Sequence, residues 1–160
     1  MTLKKLALAC ALLLATDASA IPRGVRQNNP GNIRCNYVFE FKAWPNAMGV
    51  DDEHYLTFKR PIDGVRAIVI NLKGYSRKHK ICTPRGIVTR WTYREASPRV
   101  LKDYTTVMCR SIGMNIKPDT RLNMEDPRVI QAVTWAIIYY ENGYDPYTKA
   151  LYDRVFPRRK

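Results

Sequence analysis

From Pro61 onward the apolar positions of this chain recur at helical spacing, and the strongest runs each begin on a proline. The first turn of a helix leaves its N–H groups unused, so proline, which lacks one, sits there without loss. Pro61 opens a segment with Val65, Ile68, Val69 and Leu72 on one face, and Thr83-Pro84 opens a shorter one carrying Ile87 and Trp91. Ser97-Pro98 opens a third, with Leu101, Tyr104, Met108 and Ile112 inward and Gly113 behind its end. Asp126-Pro127 opens the last strong helix, whose buried stripe is Ile130, Val133, Ile137 and Tyr140 and whose stop is Gly143. A short tail helix is expected from Tyr147 to Val155, followed by a solvated basic end.

Before Pro61 the pattern changes. Gln27-Asn28-Asn29-Pro30-Gly31-Asn32 is turn chemistry, and short strand-like pieces come after it around Ile33–Cys35, Tyr37–Phe41 and His54–Phe58. Asn46 to Asp52 reads as a polar connection between them. There are no repeats, low-complexity stretches or linkers. The expected fold is α+β, mainly α: one domain with a small β-rich N-terminal lobe followed by four or five helices.

The amino terminus has its own logic. Lys4-Lys5 supplies a positive start, Leu6 to Ala15 an apolar core, and Ala18-Ser19-Ala20 a small-x-small cleavage site. Residues 1–20 therefore read as a secretory signal and 21–160 as the mature domain, periplasmic or secreted. A core of roughly ten residues is too short for an ordinary membrane span, so no stable span is expected after cleavage. Ala7-Leu8-Ala9-Cys10 loosely resembles a lipoprotein box, but apolar residues continue past Cys10. An uncleaved, releasable anchor is the other alternative.

The chain carries 27 basic and 14 acidic residues, a net charge of +13; without Lys4, Lys5 and Asp17 it is 25 against 13, or +12. This balance favours polyanionic partners, among them anionic cell-wall polymers, lipid or nucleic acid, and export turns the choice toward the wall. Cys35, Cys82 and Cys109 remain in the mature chain, an odd number that allows one disulfide, with Cys82–Cys109 the leading pair. Neither cysteines nor His54 and His79 have metal-ligand spacing, so no metal and no cofactor is expected. A Cys35–His54 nucleophile pair has no supporting context.

The main chemical candidate is Glu141. It ends an apolar helix just before Asn142-Gly143, among Tyr139, Tyr140, Tyr144 and Tyr147. A helix C-terminus and apolar walls both disfavour a second negative charge, and a carboxyl raised in this way suits a general acid. The alternative is a solvated glutamate beside a glycine cap.

Ala136-Ile137-x-x-x-Glu141-Asn142-Gly143 resembles the catalytic-helix end of lytic transglycosylases, A-I-x-x-x-E-S-G, which runs on into an aromatic and a proline. Glu141 falls on the catalytic glutamate and Pro146 on the proline, while Asn142 replaces the usual serine. Asn28-Asn29-Pro30-Gly31-Asn32-Ile33-Arg34 resembles the N-N-x-F-G-I-K strand motif of bacterial glucosaminidases. Tyr55-x-x-Phe58 and Gly64-Val65-Arg66-Ala67 resemble the segments downstream of that motif in the same enzymes. There the glutamate helix precedes the motif; here it comes after. The resemblance implies a lysozyme-like domain in circularly permuted order, which nearby chain termini make tolerable. The mature chain is also similar to phage and prophage proteins often labelled structural, which carry R-G-I-R-N-N-N-P-G-N-I-R and H-E-N-G. Arg23 to Arg34, Arg85 to Trp91, and Tyr140 to Gly143 carry that likeness.

These resemblances imply a glycosidase acting on peptidoglycan glycan strands, with Glu141 donating the proton. A hydrolase calls for a second carboxylate; Asp51, Asp52 and Glu53 are the candidates, Asp52 first, against their reading as a solvated turn. A lytic transglycosylase needs none. Asn29 and Asn32 are candidate sugar-binding residues, though such asparagines commonly just make turns. Trp44, Tyr139 and Tyr147 are candidate walls of the substrate cleft, with packing as the alternative. The expected protein is a monomer that recognises no specific nucleic acid. Two further classes stay open: a non-catalytic peptidoglycan-binding component of a virion or secretion apparatus, and a basic nucleic-acid-binding effector, for which no basic–aromatic stripe or metal-ligand set is present.

Overall fold

The computed structural model describes residues 21–35, 40–93 and 96–157. The signal expected at 1–20 lies outside the described residues, as do residues 37–39 of the strand expected at Tyr37–Phe41. The elements run α1 (Arg23–Arg26), a 3-10 turn (Glu40–Ala43), β1 (Ala47–Val50), β2 (Leu56–Phe58), α2 (Pro61–His79), α3 (Pro84–Trp91), α4 (Pro98–Ile112), α5 (Pro127–Asn142) and α6 (Lys149–Val155). This is a mainly α, α+β domain.

Each of the four long or medium helices starts where its proline predicts, with Pro61, Pro84, Pro98 and Pro127 in the first turn. Side-chain caps supply the partners that the first N–H groups lack. Thr83 accepts from Gly86 N, Ser97 from Val100 N and Asp126 from Arg128 N. α5 stops at Gly143, which adopts the left-handed conformation at φ 78°, and its N–H bonds back to the Tyr139 carbonyl. The inward stripes meet in one core that joins Val65, Ile68 and Leu72 of α2, Ile87 and Trp91 of α3, Met108 of α4 and Val133 and Ile137 of α5.

The N-terminal lobe differs from its sequence reading. Phe41 lies in a 3-10 turn, Ile33–Cys35 contributes a single bridge between Arg34 and Tyr55, and the supposed connection at Asn46–Asp52 contains β1. β1 pairs antiparallel with β2, with a register shift between Ala47 and Gly49. Four residues interrupted by a shift, and exposing Met48, carry no usable period-two signal. The short α1 leaves no signal in the sequence either, since four residues are too few to display a helical period.

The Asn28–Asn32 loop is threaded through the helical layer rather than lying on it. A Cβ at Gly64 of α2 would overlap the Asn28 carbonyl, so glycine alone admits the loop there. Trp91 Nε1 donates to the Gly31 carbonyl at 3.1 Å, and Asn142 Nδ2 donates to the Pro30 carbonyl at 2.7 Å. The end of α3 and the end of α5 are thereby pinned to the same loop.

The expected disulfide is corrected. Cys82 and Cys109 are buried free thiols. Cys82 packs in the main core, whereas Cys109 lies outside it on α4, lining a separate surface pocket with Gly113 and Pro118. Among the described residues, no helix is long and apolar enough to cross a membrane.

Candidate functional site

The buried stripe of α5 carries Glu141 into the seam between α4, α5 and the Asn28–Asn32 loop. Its Oε2 accepts from Asn32 Nδ2 at 3.0 Å and its Oε1 from the Tyr104 hydroxyl at 3.3 Å. Tyr104 of α4 is 1% exposed and stacks on Tyr140, with ring centroids 3.9 Å apart and planes 11° from parallel. Burial first, and the neighbouring Glu141 charge second, hold the Tyr104 hydroxyl pKa well above the ordinary 10.0. Tyr104 therefore keeps its proton and serves as a donor. Burial also pushes the Glu141 carboxyl up from the ordinary 4.5, while the two hydrogen bonds pull it back without cancelling the rise.

Glu141 opens on a cleft of about 180 Å³, lined also by Asn32, Arg34, Tyr55, Trp91, Thr92 and Tyr93. Glu141 is the carboxylate of this described lining and Arg34 its cation. Arg34 Nη2 donates to the Tyr55 hydroxyl at 3.0 Å, and its guanidinium carbon lies 4.9 Å from the Tyr55 ring centroid. Arg23 approaches the same ring at 4.6 Å, with both terminal nitrogens bonded to Glu53 at 2.7 Å. Tyr93 comes just after α3 with φ 53°, a left-handed conformation unfavourable for a bulky aromatic and seen most where a site demands it. Burial raises its hydroxyl pKa, and a hydrogen bond with the Arg34 backbone opposes that rise.

The structure separates the residues singled out in the sequence. Asn32, itself at φ 47°, meets Glu141 as described. Asn29 does not reach the cleft: it is 0% exposed, and its amide bonds Ile33 N, the Ile33 carbonyl and the Leu56 carbonyl. Its role is to fasten the loop to β2. Trp44 packs against the core after the 3-10 turn, outside the cleft lining. Tyr139 points outward at 39% exposure and stacks on Trp135. Two residues before Glu141, it stands on the opposite side of the helix. Tyr147 packs on the core with its hydroxyl buried and without a partner. Of the aromatic surround expected from Tyr139, Tyr140, Tyr144 and Tyr147, Tyr140 takes part through its stack on Tyr104, while Tyr104 and Trp91 supply the rest.

Asp52 is exposed on the turn between β1 and β2 and lies outside the cleft lining. Asp51 is the structural acid of that turn. Burial pushes it up, but bonds from Gln27 Nε2 and from Tyr55 and Glu53 N–H outweigh this and hold it below the ordinary 3.8. Asn142, where the transglycosylase pattern has serine, is buried and bonds the Pro30 and Ile138 carbonyls. Arg34, Tyr55 and Tyr93 are site residues that sequence reasoning misses, because nothing local ties them to Glu141.

No protein-family model matches the chain. Over 154 residues it is 32% identical to Protein P5 of Pseudoalteromonas phage PM2, a match spanning 94% of this chain and 89% of that protein.

Proposed function

We propose that this chain, which belongs to the family of the phage PM2 Protein P5, is an exported glycosidase that cleaves peptidoglycan with Glu141 as general acid. The observation that carries this reading is the Glu141 carboxyl itself. It is raised by burial, oriented by two neutral donors, and opens on a cleft with aromatic walls. A raised carboxyl holds its proton nearer neutral pH and can pass it to the glycosidic oxygen as the C1–O bond breaks.

The lone carboxylate among the described residues of the cleft favours a single-glutamate course. After protonating the leaving oxygen, Glu141 is an anion that Asn32 and Tyr104 stabilise by hydrogen bonds. It then takes the proton of the attacking hydroxyl, either water or the sugar's own 6-hydroxyl, and returns to its starting form. The first attack gives a reducing end and the second an anhydro end.

The test is incubation of the mature protein with isolated peptidoglycan, beside Glu141→Gln, with mass spectrometry of soluble muropeptides. Fragments present with the wild type and absent with the variant are expected. Their absence from both, with both proteins still bound to the wall, overturns the enzyme and leaves a peptidoglycan-binding component.

A further inference from the structure

The Glu141 cleft, about 180 Å³, is smaller than the roughly 300–1,000 Å³ in which proteins usually enclose a whole ligand. A polymer cut there gains from a second hold on the same molecule. On another side of α5 lie two adjoining cavities of about 260 and 830 Å³, which share Arg128 and Gln131 and have no lining residue in common with the cleft. Resting on the peptidoglycan reading above, we propose that these cavities form one groove, a second and non-catalytic binding site for neutral amino-sugar chains.

Three features carry this inference. The first is charge. The chain has a net charge of +13, yet each charged group lining the groove is already in an ion pair. Asp126 meets Arg128 at 3.2 Å, Asp153 meets Lys149 at 2.6 Å, and Glu125 meets Arg77 at 2.9 Å. A lining without spare charge suits a neutral ligand, whereas a polyanion is better served elsewhere on so basic a chain. Second, Trp135 and Tyr152 wall the smaller cavity, and both are held in place. Trp135 stacks on Tyr139 with ring centroids 5.0 Å apart and planes 18° from parallel, and the Tyr152 hydroxyl donates to Asp145 at 3.0 Å. Rings fixed beforehand offer apolar surface to the C–H face of a sugar with little entropy lost on binding. Third, half-buried Gln131 makes no side-chain hydrogen bond among the described residues. Its amide has donors and an acceptor for sugar hydroxyl and N-acetyl groups. Arg128, Gln131 and Trp135 follow one another at i, i+3 and i+7, so the groove runs along α5 as an extended chain would. Holding the polymer there raises the effective concentration of its bonds at Glu141.

Binding tests this separately from cleavage. The Glu141→Gln protein is titrated with the neutral tetramer of N-acetylglucosamine at about 0.15 M salt, which screens its general positive charge. Amide shifts are expected at Gln131, Ala132 and Trp135, and at the Trp135 indole N–H. Adding Trp135→Ala should weaken binding in the groove about tenfold, as loss of an aromatic anchor does. Adding Gln131→Ala should weaken it about threefold, the loss of one neutral hydrogen bond. Shifts confined to the cleft overturn the groove, as do groove shifts evoked by a sulfated oligosaccharide and not by the neutral tetramer. Groove binding untouched by both variants overturns it too. The shift map needs neither variant, so it decides the matter even if Trp135→Ala folds poorly. Groove shifts without muropeptide release by the wild type would keep the groove and remove the glycosidase; release without groove shifts would do the reverse.

Discussion

Glu141 and Asp51 are both partly buried carboxylates, and the same N-terminal segment reaches each with an amide: Asn32 to Glu141 at 3.0 Å, Gln27 to Asp51 at 2.7 Å. Their protonation nevertheless moves in opposite directions. Asp51 sits in a tight turn whose own backbone points two N–H groups at Oδ1, from Glu53 at 3.0 Å and Tyr55 at 2.8 Å. Glu141 stands at a helix end where backbone donors are exhausted, and the seam offers it a longer phenol bond at 3.3 Å. Burial opposes charge at both sites, and the count of donors decides which effect wins. The turn holds its carboxyl below the ordinary value, and a helix C-terminus packed against tyrosines lifts its carboxyl above it.

Variants sharpen this contrast, and the largest effect is expected at Glu141. Glu141→Gln should lower muropeptide release about 10³-fold, within the usual range for a general acid. It should not destabilise the fold at neutral pH. A folded-state pKa raised above the unfolded 4.5 contributes stability below that value and loses it as pH rises through the folded pKa. The stability of Glu141→Gln relative to wild type should therefore climb above pH 4.5 in denaturant melts, and a flat difference would contradict the burial account.

Asn29→Ala comes next, with an expected loss of about 3 kcal/mol in denaturant unfolding, because it leaves buried backbone groups without partners. Asn32→Ala, three positions on, should instead reduce activity more than stability. Asp51→Ala should cost about 2 kcal/mol at neutral pH. That cost should shrink as pH falls below the ordinary 3.8 and through the lowered folded value, since a depressed pKa contributes stability only while the group is ionised.

Tyr104→Phe removes a donor that favours the Glu141 anion. Activity should drop about tenfold, and the pH at which it fades on the alkaline side should move upward. An unchanged pH profile would reduce Tyr104 to packing. The smallest effect is expected at Asp52: Asp52→Asn should leave both activity and melting unchanged, and a large loss of activity would return the second carboxylate to the mechanism.

The helical half of the protein is legible in the sequence because its signals are local. A proline, a cap three residues from its N–H partner and an apolar repeat all act within one or two turns, as at Ser97-Pro98 and Asp126-Pro127. The placement of Glu141 at the stop of α5 is readable for the same reason. β1 is not, since its pairing with β2 includes a register shift and depends on the partner strand.

The site itself belongs to the tertiary structure. Asn29 and Asn32 look alike in the sequence, yet one fastens the loop and the other meets a carboxylate 109 positions away. Tyr104 lies inward as its stripe predicts, but an inward stripe does not say which residue its hydroxyl will find. Arg34, Tyr55 and Tyr93 converge on the cleft from a bridge and the end of α3, held by contacts that no short-range period encodes. Local periodicity determines which residues are buried. The threading of the Asn28–Asn32 loop past Gly64 and Trp91 decides which buried polar groups meet, because hydrogen-bond partners are chosen by distance in space.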